Sequence, residues 1–277
     1  MQASSLRFSR LFGNGRPVVV AIDHGMFDGP IEGMEDIAGT AKHICQDVDA
    51  VLVSPGVLGV LGPQTFGRRG GPLAIVRINW GTVYCFSWNY TSGETVEAYS
   101  VKDALRLGAD AVLVSLSLRT GSEARDAANV ALFSRLCREA HDYGLVVIGE
   151  YFPVDYPKLS AAEVHEEVKI GCRVLAELGA DAIKSYHTER FVEVRDGCPA
   201  PILTLGGSKF PREIDALKLA ERQVRDGSAG VVFGRNALQA RDPIAFQKAL
   251  IEVVRNGIGA EDAAGKHGIE IKEYHGG

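Results

Sequence analysis

Short apolar runs recur along the chain with amphipathic stretches between them: PVVVAID (17–23), DAVLVSP (49–55), LAIVRIN (73–79), DAVLVSL (110–116), LVVIGEY (145–151), DAIKSY (181–186), PILTLGG (201–207) and GVVFGR (230–235). These eight runs are nearly continuous and rich in Val, Ile and Leu, as parallel strands covered on both faces are, where half-exposed antiparallel strands alternate. Between them the pattern predicts helices over 95–107, 124–143, 161–178, 212–225 and 243–255, several stopped by a glycine, at Gly108, Gly144, Gly179 and Gly227. The phrases LRLGADAVLV, DYGLVVIG and AELGADAIK repeat one unit of helix, glycine cap, turn and buried strand.

Eight such units in this length predict a single-domain α/β (β/α)₈ TIM barrel over residues 1–277, with strand ends near 23, 54, 79, 116, 150, 184, 206 and 234. An open doubly wound sheet would need a dinucleotide-type glycine fingerprint after the first strand, and AIDHGMFDG is not one. Segment 80–94, WGTVYCFSWNYTSGE, interrupts the rhythm and reads as a long loop after the third strand, lining the site or making a subunit contact.

Composition narrows the partners. At net charge −5 the chain has no basic excess for nucleic acid or an anionic membrane, so a small soluble molecule is the expected ligand. No apolar stretch approaches the roughly 18 residues needed to span a bilayer, and the start lacks the apolar run of a secretory signal; the expected location is cytoplasmic. Cys45, Cys85, Cys137, Cys172 and Cys198 form no CxxC pair and read as reduced, structural thiols.

A barrel gathers its chemistry at the carboxyl ends of its strands, so polar residues that end apolar runs are the candidates. Lys184 stands inside DAIKSY, where Val or Ile would be ordinary. Buried among apolar walls, a lysine amine becomes a nucleophile toward carbonyl carbon; turned outward, it would snorkel between helices. Asp23 ends the first run as an acid–base group, a substrate-orienting group or a helix cap. Glu150, on an otherwise apolar run, is either a proton shuttle or the salt-bridge partner of Lys184. The turns Gly206-Gly207-Ser208-Lys209 and Gly234-Arg235 follow the last two runs, where barrels commonly hold phosphate on backbone N–H groups.

These residues also carry a resemblance. AIDHGMFDGPIEGMEDI, ELGADAIKSYHT, LGGSK and GVVFGRNALQARDPIAFQKAL occur in the order of the corresponding segments of class I, Schiff-base aldolases of the DeoC/FbaB/LacD superfamily. The chain resembles above all the archaeal-type fructose-bisphosphate aldolases and the aminodideoxyheptulosonate synthases. The resemblance implies Lys184 as the covalent residue, Asp23 and Glu150 or Tyr151 as proton-transfer residues, and phosphate held near His24, Gly206, Gly207, Ser208, Lys209, Gly234 and Arg235. It implies a homo-oligomer, often a decamer, and no cofactor or metal.

Two departures stand out. Archaeal-type enzymes end the fifth strand in a tyrosine proton donor, whereas VVIGEYFP puts Glu150 there and Tyr151 next; glutamate is the tagatose-bisphosphate-type residue and is preferred here. Those same enzymes carry an extra lysine on the fourth strand, where this chain has Ser115 and Ser117. The expected reaction is reversible aldol cleavage of a phosphorylated ketose. Its rivals are a transaldolase-type synthase or thiolase-like acyl transfer on a related substrate, a non-catalytic sugar-phosphate-binding barrel, and a metal-dependent aldolase for which only His24 and His187 lie near strand ends.

Overall fold

The computed structural model describes residues 4–90 and 92–271. Eight parallel strands close a barrel: β1 (Val18–Ala21), β2 (Ala50–Val53), β3 (Leu73–Arg77), β4 (Ala111–Leu116), β5 (Val146–Tyr151), β6 (Ala182–Ser185), β7 (Ile202–Leu205) and β8 (Gly230–Phe233). Each strand pairs with the next in the chain, and β8 returns to β1 with Val18 opposite Val231. The expected TIM barrel is therefore the observed fold.

Strand alternation sorts the apolar residues into two cores. Val19, Ala21, Leu52, Ile75, Leu113, Ile148 and their neighbours fill the inside of the barrel, while Val18, Val20, Val51, Val76, Val112 and Val147 pack outward against the helices. Continuing the inward parity by one position per strand reaches Asp23, Arg77, Ser115, Glu150 and Lys184. One end of the barrel is closed by the helix Ser4–Phe12, whose Leu11 joins the inner core with Phe8 and Phe12 against it. Arg7 ties this helix to the turn before β5 by donating to the Gly144 carbonyl at 2.9 Å.

The outer helices run close to expectation: Glu123–Asp142, Ala161–Glu177, Glu213–Arg225 and Pro243–Asn256. Ser160 and Glu163 form a reciprocal capping box at the start of the second of these. The expected helix over 95–107 is corrected. Thr95–Glu97 pairs antiparallel with Asn79–Gly81, as a β-branched Thr-Val step favours. The helix there spans only Val101–Arg106, started by the Ser100 hydroxyl accepting from the Asp103 N–H. Segment 80–94 is thus no simple loop, since this ribbon and two 3₁₀ turns, Thr82–Tyr84 and Phe86–Trp88, organise it. The five cysteines are free and buried, and among the described residues no helix is long and apolar enough to cross a membrane.

Candidate active site

The inward residues at the carboxyl end of the strands meet in one cavity of about 380 Å³. At its floor lies a buried network of charge. Glu150 on β5 receives Lys184 Nζ from β6 on Oε1 at 2.5 Å and Arg77 Nη2 from β3 on Oε2 at 2.6 Å. The same guanidinium reaches Asp23 Oδ2 through Nε at 2.6 Å and donates to Ser115 Oγ through Nη1 at 2.6 Å, and Ser115 donates onward to Glu150 Oε2 at 2.9 Å. Lys184 is only 6% exposed and Arg77 2%. Two cations and two carboxylates so deeply buried are tolerable only because each is paired.

The electrostatics follow from this geometry. Burial alone would raise both carboxyls, but Arg77 and Lys184 overcome it, holding Asp23 below and Glu150 well below the usual carboxylate range. Burial would likewise discharge Arg77, and Glu150 with Asp23 more than reverse that. The guanidinium is also flanked by rings, its carbon 5.0 Å from the Phe27 centroid and 4.9 Å from that of Tyr84.

Arg77 interrupts LAIVRIN as Lys184 interrupts DAIKSY, an odd charge in an apolar run that was not among the expected site residues. The second buried cation of the network comes from β3, and Ser115 on neighbouring β4 accepts from it. Tyr84 was concealed in the aromatic segment after β3. Its hydroxyl is buried beside Glu150 and Ser115.

Of the two fifth-strand candidates, only Glu150 faces the cavity. Tyr151 points into the helical layer, donating its hydroxyl to Glu167 Oε2 at 2.7 Å and laying its ring on Gly171, where a β-carbon would sit 2.1 Å from the ring. Adjacent strand residues cannot both face inward, so Tyr151 is corrected from a candidate proton-transfer residue to a packing residue.

At the β7–β8 side of the cavity, Gly206, Gly207, Ser208, Gly234, Arg235 and His24 line the wall. Asn236 ties the two turns together, its side-chain amide donating to the Gly206 and Ser208 carbonyls at 3.0 and 2.8 Å while its oxygen accepts from the Phe210 N–H. Lys209 is not brought to this wall. Its charged neighbours are Glu213 and Glu32. His187 also turns away, to Asp226 at 2.9 Å. Among the described residues no three His, Cys, Asp or Glu side chains gather as a metal-ligand cluster.

His24 packs so closely on Gly234 that a β-carbon there would lie 2.3 Å from its Cε1. Burial, with Lys184 and Arg235 nearby and Asp23 opposing, lowers its pKa from 6.5 to about 4. Because the folded value lies below the unfolded one, protonation favours the unfolded chain. The stability that neutral His24 contributes is complete above pH 6.5 and is lost as pH falls toward 4. Chemical-denaturation midpoints between pH 7 and 4 should therefore fall more steeply for wild type than for His24→Gln, and parallel curves would contradict the assignment.

A closed barrel with a buried lysine paired to a glutamate at its catalytic end, and glycine turns after the last two strands, defines a lysine-bearing barrel enzyme of the aldolase type. The chain belongs to the DeoC/LacD family of aldolases, whose sequence profile matches residues 17–240. It is 34% identical over 261 residues to an "uncharacterized aldolase" of Saccharolobus solfataricus, covering 92% of this chain and 95% of that protein. It is 30% identical over 276 residues to 2-amino-3,7-dideoxy-D-threo-hept-6-ulosonate synthase 1 of Archaeoglobus fulgidus, covering 98% and 95%. Among solved structures it superposes with TM-score 0.76 and 27% identity on an archaeal fructose-1,6-bisphosphate aldolase whose catalytic lysine is covalently bound to a carbinolamine intermediate, covering 91% of this chain and 99% of that one. The protein is an aldolase, a carbon–carbon lyase.

Proposed function

We propose that the enzyme cleaves and forms a carbon–carbon bond of a phosphorylated ketose through a Schiff base on Lys184. The observation that carries this reading is the 2.5 Å contact of Lys184 Nζ with Glu150 in a cavity whose other wall is formed by the β7 and β8 turns. The ammonium passes a proton to Glu150, and the free amine attacks the ketone carbon. Loss of the carbinolamine oxygen as water leaves an iminium. This positive centre draws the electron pair of the breaking bond while Glu150, ionised again after giving its proton to the departing oxygen, takes the proton of the neighbouring hydroxyl. Protonation of the resulting enamine and hydrolysis then return the amine. Asp23 orients a substrate hydroxyl, and the phosphate rests against Gly206, Gly207, Ser208, Gly234 and Arg235, with neutral His24 beside it.

The reading extends to a cytoplasmic homo-oligomer of carbohydrate metabolism, and five free, buried thiols suit a reducing compartment. Because the iminium supplies the electron sink that a metal-dependent aldolase draws from its ion, aldol cleavage should be unchanged after EDTA treatment. Loss of turnover that added zinc restores would contradict the proposal.

A further inference from the structure

In the barrel order the β3–β5 arc lies across from β7 and β8, so a ketose lying over Lys184 with its phosphorylated end toward β7 and β8 has its other end toward β3 to β5. That second end is walled by rings. Phe27 lies 4.8 Å from Tyr84, Tyr84 5.1 Å from Phe152, and Phe152 5.3 and 5.0 Å from Tyr156 and Tyr186, which stack on each other at 4.4 Å and 7°. All five rings line the cavity. They come from the segments after β1, β3, β5 and β6, so four separate segments deliver aromatic side chains to the cavity.

Among the described residues that line the cavity, a phosphate at this end would meet one guanidinium, that of Arg77. Arg77, the guanidinium on that side, is already engaged by Asp23, Glu150 and Ser115, and the two carboxylates would repel a second anion. The wall does offer a polar hook, the buried Tyr84 hydroxyl beside Glu150 and Ser115.

We propose that the cavity takes an unphosphorylated aldehyde with an aromatic or similarly planar apolar body at its β3–β5 side, with the rings as its contact surface and the Tyr84 hydroxyl holding its carbonyl oxygen. The proposal rests on the Lys184 reading above and adds the class of the second substrate. In the condensing direction the enamine carbon of the lysine-bound donor bonds to the aldehyde carbon, and the aldehyde oxygen takes a proton from the Glu150 carboxyl. Water then hydrolyses the iminium to release a phosphorylated hydroxyketone and Lys184, with no oxidant or reductant.

The test compares benzaldehyde, acetaldehyde and glyceraldehyde 3-phosphate as acceptors with dihydroxyacetone phosphate as donor, product being read by mass spectrometry. Wild type should use benzaldehyde with kcat/KM about tenfold or more above glyceraldehyde 3-phosphate. Tyr156→Ala should lower the benzaldehyde-to-acetaldehyde ratio of kcat/KM by about tenfold. In each protein, borohydride labelling of Lys184 by the donor alone reports a folded, lysine-active site. Preference for glyceraldehyde 3-phosphate, or an unchanged ratio in Tyr156→Ala, overturns the aromatic subsite even where Lys184 is labelled. Absence of the label from wild type counts against the lysine reading instead.

Discussion

Replacing Glu150 by Gln is expected to slow carbon–carbon bond cleavage by roughly 10²- to 10⁴-fold, the usual worth of general acid–base catalysis, while the iminium on Lys184 still forms measurably. The amide keeps the shape of the side chain but cannot take the hydroxyl proton, and Glu150 is the carboxylate that touches Lys184 Nζ. Tyr151→Phe is the matched comparison. Its hydroxyl bonds to Glu167 in the helical layer, so its loss should cost on the order of 1 kcal/mol of stability and leave kcat nearly unchanged. Single-turnover cleavage rates for the two variants decide between them, and a slow Tyr151→Phe beside a fast Glu150→Gln would reverse the assignment.

Arg77→Met should be the most damaging substitution for the folded state. It leaves Asp23 and Glu150, each under 5% exposed, with Lys184 as the one remaining cation of the buried network. Removing one partner of a buried ion pair typically costs about 3–5 kcal/mol, because the opposite charge stays buried without compensation. Arg77→Lys should recover only part of this, since a single ammonium cannot match the separate Nε, Nη1 and Nη2 contacts to Asp23, Ser115 and Glu150. The carboxylates would also titrate closer to their ordinary range, so activity in Arg77→Lys should fall at a higher pH on the acid side than in wild type. Denaturant midpoints and the pH profile of kcat/KM measure both effects. A wild-type-like midpoint for Arg77→Met would mean that the network contributes little to the fold.

The barrel is legible in the chain because its signals are local: an apolar run buried on both faces, a helix, a glycine stop, and the same unit again. Lys184 and Glu150 are legible for a related reason, as charges that interrupt apolar runs stand out wherever the strand is. Arg77 interrupts its run in the same way, yet no likeness to a known motif draws attention to it, and its meaning appears only when β3 and β5 are brought side by side with Asp23. The choice between Glu150 and Tyr151 follows from parity alone, counted from the inward Val146 and Ile148. The aromatic wall is of another kind. Phe27, Tyr84, Phe152, Tyr156 and Tyr186 come from loops far apart in sequence, and no periodicity links residues that meet only after the barrel closes. Lys209 is not legible for the converse reason, since proximity to a glycine turn does not tell which way a long side chain leaves it.

The most direct measurement is reduction of the enzyme with sodium borohydride in the presence of dihydroxyacetone phosphate, followed by peptide mass mapping. An iminium is reduced to a stable secondary amine, whereas a ketone held only by hydrogen bonds leaves no mass on the protein. The account predicts one added donor per chain on Lys184, and neither label nor turnover in Lys184→Met. Label on Lys209 or another lysine, or full turnover in Lys184→Met, would contradict it.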